Sequence, residues 1–134
     1  MSHPRRGSAL IEFAGSLILL FGVFTGIVQI GYAFFSYNAL VNAVRAGARY
    51  ASLQHPNSEL TKTVKNMVVY GELAPDATAK AVVPGLTTDN VNVTLGPAGA
   101  TVSVRGFKLD SLFSQVKLDG RPSITFPLTA GAGK

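Results

Sequence analysis

The chain has 134 residues, of which 47% are hydrophobic and 14% charged, so it holds one membrane segment and one small domain at most. It has no cysteine, which excludes disulfides, zinc–thiolate sites and a cysteine nucleophile. The net charge is +5, and without residues 1–7 ten Lys and Arg face seven Asp and Glu, or +3; these cations form no basic stripe with interleaved aromatics, so no nucleic-acid partner is expected.

A short basic leader, His3-Pro4-Arg5-Arg6-Gly7, opens the chain and runs into Ser8-Ala9-Leu10-Ile11-Glu12-Phe13. From Phe13 to Val44 there is no charged residue. Phe13 to Phe35 is a run of 23 residues interrupted only by Gly, Ala, Ser16, Thr25 and Gln29. About 20 apolar residues span a bilayer as a helix, so this run spans one with some tilt. A secretory signal has a shorter apolar core, of about 7–15 residues, followed by a small-x-small cleavage site, so a retained anchor is expected. Arg5 and Arg6 hold the N-terminus in the cytoplasm, whereas Arg45 and Arg49 pull the other way. The residues alone leave the orientation open; N-in, C-out puts the only foldable part outside, and the preference for it leans partly on a family resemblance.

A single carboxylate, Glu12, stands at the mouth of this segment. An ionisable group there is costly and points to a specific partner. The competing reading places Glu12 at the membrane surface near Arg5 and Arg6, favoured by the helix N-terminus. Gly22 and Gly26 lie four residues apart at bilayer depth, a spacing that lets helix backbones approach closely. The same spacing is common in such helices without any partner.

The helix is expected to continue beyond the membrane, from about Ala9 to Leu53. Tyr37, Leu40, Val41, Val44, Ala48 and Ala51 recur at helical spacing, opposite a stripe of Asn38, Asn42, Arg45, Arg49 and Ser52. Pro56 and Asn57 end it. Ala39, Ala43, Gly47 and Ala51 form a second small-residue series. It reads as the seam where the helix meets its own domain, with helix–helix packing as the alternative.

A second helix is predicted over Ser58–Tyr70, capped by Asn57 or Ser58 and closed by Gly71, with Leu60, Val64, Met67 and Val68 as its apolar face. Glu72 to Asp89 reads as a loop. Val91, Val93 and Leu95 then alternate with Asn92 and Thr94. After the turn Gly96-Pro97-Ala98-Gly99, Val102 and Val104 alternate with Thr101, Ser103 and Arg105. Ser123 to Leu128 alternates again, and Pro127 places it at a sheet edge or strand end. Leu109, Leu112 and Phe113 read as an apolar cap over the sheet, and Thr129 to Lys134 as a disordered tail. The expected fold class is α+β: a long N-terminal helix, then a second helix and a three-stranded antiparallel sheet. The corresponding divisions are a leader at 1–7, a transmembrane and assembly helix at 8–35, and an extracytoplasmic head at 36–134.

No enzyme is expected, because no set of titratable groups converges. His3 is in the leader, and His55 sits beside Pro56 with no acidic residue nearby in sequence. Asp76, Asp89 and Asp119 stand beside Pro, Asn and Gly, and Asp110 lies between Leu109 and Ser111; all four are isolated in expected loops, where turn chemistry explains them better than metal binding or acid–base work. No metal, cofactor or small-molecule substrate is expected. Asn92-Val93-Thr94 matches a glycosylation sequon but lies inside a predicted strand.

Taken together, these residues resemble a TadE-like pilin of the tight-adherence (Tad) pilus system, within the type IV pilin-like superfamily. The resemblance rests first on Arg6-Gly7-Ser8-Ala9-Leu10-Ile11-Glu12-Phe13. Tyr37-Asn38-Ala39-Leu40 and Ala43-Val44-Arg45-Ala46-Gly47-Ala48-Arg49-Tyr50-Ala51 extend it. Val68-Val69-Tyr70-Gly71 and Val83-Pro84-Gly85-Leu86 are similar to segments further along such proteins. It covers most of residues 5–130, strongly in the first 51 and more loosely after. Phe13 follows Glu12 where the main pilins of such systems often carry Tyr or Leu, which points away from a Flp-type major pilin.

The resemblance implies cleavage after Gly7 by a prepilin peptidase, with Ser8 as the new N-terminus. It implies that Glu12, with Phe13 beside it, pairs with the Ser8 amine of a neighbouring subunit. It also implies residence in the inner membrane before assembly and in an extracellular pilus after it, with other pilin subunits as partners. The expected function is a structural subunit, minor or self-polymerising, acting in surface adhesion. The alternative is a single-span envelope protein whose outer domain binds a partner and never polymerises.

Overall fold

The computed structural model describes residues 6–55, 57–97, 99–110 and 115–128. Its first element, α1, runs unbroken over Arg6–Leu53. No proline falls between Pro4 and Pro56, so nothing removes a backbone donor along that length. The apolar residues of the first half surround the helix completely, whereas those of the second half lie on one side. Helix α2 covers Ser58–Tyr70. Asn57 has extended backbone, and its side-chain Oδ1 accepts from the Leu60 N–H at 2.6 Å. Such a cap satisfies one of the donors that a helix start leaves open. At the other end Gly71 turns left-handed, with φ 77°, and its N–H donates to the Met67 carbonyl.

Only four residues separate the two helices, so the chain must reverse, and α2 packs back along α1. Gly47 sets the closeness of that contact. A Cβ built there meets Val68 Cγ2 at 2.5 Å and Val64 Cγ1 at 3.5 Å. A loop then leads to a short 3-10 turn, Thr88–Asn90, and to strand β1, Val91–Gly96. Strand β2, Gly99–Val104, pairs antiparallel with β1, from Val91 opposite Val104 to Gly96 opposite Gly99.

A second sheet departs from the sequence-based expectation. Strands β3, Phe107–Asp110, and β4, Gln115–Leu118, form a separate two-stranded antiparallel hairpin. Leu109, expected as part of a cap, is a strand residue, and Phe107 beside it is buried. Each strand has only four residues, too few for alternation to stand out. Strand β5, Ser123–Phe126, returns to the first sheet beside β2, giving the order β1-β2-β5. Pro127 follows the last strand residue, on an edge strand, where its missing donor costs no ladder bond. At Gly99, φ is 138° and a Cβ would press on the Phe126 carbonyl carbon at 2.9 Å, so only glycine lets β2 start against β5.

One core joins these parts. Leu40, Val44, Ala48 and Ala51 of α1 meet Leu60, Val64, Val68 and Val69 of α2, with Ala100, Val102 and Val104 of β2 on the same cluster. Val83 and Leu86 from the connecting loop, and Val91, Phe107 and Leu109, complete it. The architecture is the expected α+β layout of a long helix, a second helix and a three-stranded antiparallel sheet.

Three details differ from expectation. Met67 is only half-buried, and Val69 takes its place in the core. Ser52 is buried rather than part of the wet stripe, and its hydroxyl donates to the Arg49 carbonyl at 2.8 Å. That local bond satisfies the polar group without a solvent partner. Tyr37 stays 37% exposed at the membrane end of the stripe. Leader residues 1–5, Pro56, Ala98, Leu112, Phe113 and the tail from Thr129 lie outside the described residues.

Candidate assembly helix

The sequence-predicted site residues all lie on α1, and the structure divides them into two groups. Gly7, Ser8, Glu12 and Phe13 stand on its first turns, fully open to the surroundings. Phe13 is 65% exposed, and Leu10 and Ile11 beside it are 70% and 77% exposed. Nothing among the described residues of the head reaches them. The whole helix is long and apolar enough to cross a membrane, and its most apolar window is not covered by the other described residues.

Ser8, Glu12 and Ser16 recur every four residues, so they form a narrow polar line on an otherwise apolar surface. Ser16 donates its hydroxyl to the Glu12 backbone carbonyl at 2.9 Å, which keeps the serine satisfied within the helix. The Glu12 carboxylate has no partner among the described residues. A charged carboxylate carried into hydrocarbon without a partner is strongly disfavoured. Among the described residues the geometry therefore presents an acceptor with no partner, open to a group from another chain, to the basic leader or to water at the membrane surface.

The small residues divide in the same way. A Cβ at Gly22 or Gly26 would meet nothing within 4 Å, so the close approach that these glycines permit is unused among the described residues. Gly15 shares their face at a spacing of seven and eleven residues and is equally open, a position that pairs of small residues four apart do not reveal. Gly47, in contrast, is filled by α2, and Ala39 and Ala43 lie half-buried against the core. The outer series is occupied by the chain's own head.

Where the helix meets the head, a groove of about 130 Å³ is lined by Tyr32 and Ser36 of α1, by Val83, Pro84 and Gly85, and by Leu109 of β3. Leu86 N–H donates to the Val83 carbonyl at 3.1 Å, and Gly85 takes φ 81°, the turn that Pro84-Gly85 favours. The turn signal is visible in the sequence, but its position against α1 is not. Among the described residues no group of three His, Cys, Asp or Glu could hold a metal ion, and His55 is exposed.

Comparison with known proteins bears on the helix. The family model described as TadE-like protein matches residues 7–49. The match starts at Gly7 and ends at Arg49, four residues short of the end of α1, so it covers the exposed half and most of the half that carries the head. The looser similarities around Val68–Gly71 and Val83–Leu86 fall outside it. No curated protein and no solved structure matches the chain. Residues 7–49 are thus a TadE-like segment, consistent with a TadE-like protein of Tad pilus systems.

Proposed function

We propose that this protein is a structural subunit, minor or self-polymerising, of a Tad-type pilus. In this reading it is processed after Gly7 and assembled through the first half of α1. The observation that carries the reading is the exposure of that half. A helix matched by the TadE-like family presents bulky apolar side chains on every side and leaves them uncovered by its own domain. Lipid covers such a surface before assembly, and neighbouring helices cover it afterwards. Cleavage after Gly7 frees an amine on Ser8, and Glu12 is the only carboxylate between residues 1 and 58. Pairing of one subunit's Glu12 with another's Ser8 amine neutralises both charges and fixes the axial register. The head then sits on the filament's outside, where it acts in adhesion.

Exposure of the helix also suits the second reading, a single-span envelope protein that never polymerises. The mass of the mature N-terminus separates the two. Processing predicts a chain beginning at Ser8, and Gly7→Val, which puts a branched side chain at the scissile bond, leaves the precursor at full length. A normal mature mass in that variant removes the processing step and favours the second reading.

A further inference from the structure

Lys108 of β3 and Lys117 of β4 are register partners, directly opposite each other in the hairpin. Both are exposed, and neither has an ion pair among the described residues. Like charges directly opposite across a strand pair repel, so an anion brought close to the two lysines is favourable there. Residues 105–121 add Arg105 and Arg121, giving four cations against the two carboxylates Asp110 and Asp119.

The position of the hairpin says which anion. Leu109, next to Lys108, lines the groove with Tyr32 and Ser36. The apolar run of α1 ends at Phe35, so Tyr32 and Ser36 bracket the end of its hydrocarbon span. Headgroups occupy the next 5–7 Å or so. The hairpin therefore lies near the level of the lipid phosphates, and tilt of α1 in the bilayer brings it onto them or lifts it away. Its apolar face packs on the head, and its two lysines stand on the opposite face, with flexible stems that reach the phosphates. We infer that Lys108 and Lys117 form a clamp for anionic lipid headgroups, which docks the head on the bilayer while the subunit waits in the membrane. The inference rests on the membrane-anchored state proposed above. Extraction into a filament removes the lipid and releases the clamp.

The test uses the full chain in nanodiscs, one copy per disc, with a polarity-sensitive dye on Pro84→Cys. The protein has no native cysteine to compete for the label. The dye is expected in an apolar environment in discs with about one-third phosphatidylglycerol, and much less so in pure phosphatidylcholine. Each lysine near an anionic surface shifts such an equilibrium roughly fivefold. The double variant Lys108→Gln/Lys117→Gln should therefore lower the docked-to-free ratio by about 25-fold. Lys108→Arg/Lys117→Arg, which keeps both charges, should retain docking.

Equal signals in the two lipids, or a glutamine variant that behaves as the parent, overturns the inference. A signal that appears only with two copies per disc also overturns it, and assigns the face to a neighbouring chain. A dye on Phe24→Cys should be in hydrocarbon throughout. If that dye is in water, the anchored state itself fails; if it is in hydrocarbon while the Pro84 dye stays wet, only the clamp fails.

Discussion

The two halves of α1 share one unbroken helix and almost nothing else. Residues 7–35 carry Leu, Ile, Val and Phe on every side, and the large ones are between 39% and 77% exposed. Residues 36–53 carry one apolar stripe, and Leu40, Val44, Ala48 and Ala51 on it are completely buried. Backbone hydrogen bonding is the same in both. What differs is the partner for which each surface is shaped. An all-round apolar helix suits hydrocarbon or other helices, and a one-sided helix suits a single domain in water. Glycines report the same difference: Gly22 and Gly26 face open space, whereas Gly47 is filled by Val68.

Separating the halves should give the largest effect. A chain of residues 36–134 keeps the buried stripe, α2 and all five strands, and loses the uncovered surface. It should be a soluble monomer with mixed helix and strand content by circular dichroism. A molten or aggregated product means that the outer half also depends on neighbouring copies.

Within that soluble head, Gly47→Val drives a branched side chain into Val68, whose Cγ2 lies 2.5 Å from where the new Cβ would stand. Overpacking of this kind costs about 2–3 kcal/mol, read as a lowered denaturant midpoint at unchanged slope. Asn57→Ala removes the cap on Leu60 and should cost about 1 kcal/mol in the same titration. Gly22→Ala, made in the full chain, should leave head stability unchanged within about 0.5 kcal/mol, because it touches nothing among the described residues. A loss comparable to that of Gly47→Val would show that the inner half also leans on the head.

Much of this division is written in the sequence. The uncharged run from Phe13, the period of Leu40, Val44, Ala48 and Ala51, and the Asn57 and Gly71 stops place both helices to within a few residues. Hydrophobic period and caps are local signals, so they survive without tertiary knowledge. The β1–β2 hairpin is legible for the same reason, through alternation around Gly96-Pro97. The β3–β4 hairpin is not. Its four-residue strands carry little period, and what fixes them is burial of Phe107 and Leu109 under the head. Burial of Val69 is equally hidden, because the sheet and loop cover α2 from a second side and widen its buried face beyond a single stripe. At the site, the residues of the inner half can be named from sequence, because chemistry out of place in an apolar run is conspicuous. The groove at Tyr32 and Ser36 cannot, since it joins three segments far apart in the chain.

If the inner half works through other chains, Glu12 is its most specific residue. Glu12→Ala makes the segment more apolar, so membrane insertion is unharmed. The quantity to measure is the share of this variant recovered in sheared surface filaments, set against its level in the membrane and its cleavage. Normal membrane levels, near-normal cleavage and a sharp fall in filaments are predicted. A filament yield equal to that of the parent would contradict the pairing of Glu12 with a neighbour's amine, and with it the reading of the inner half as an assembly surface.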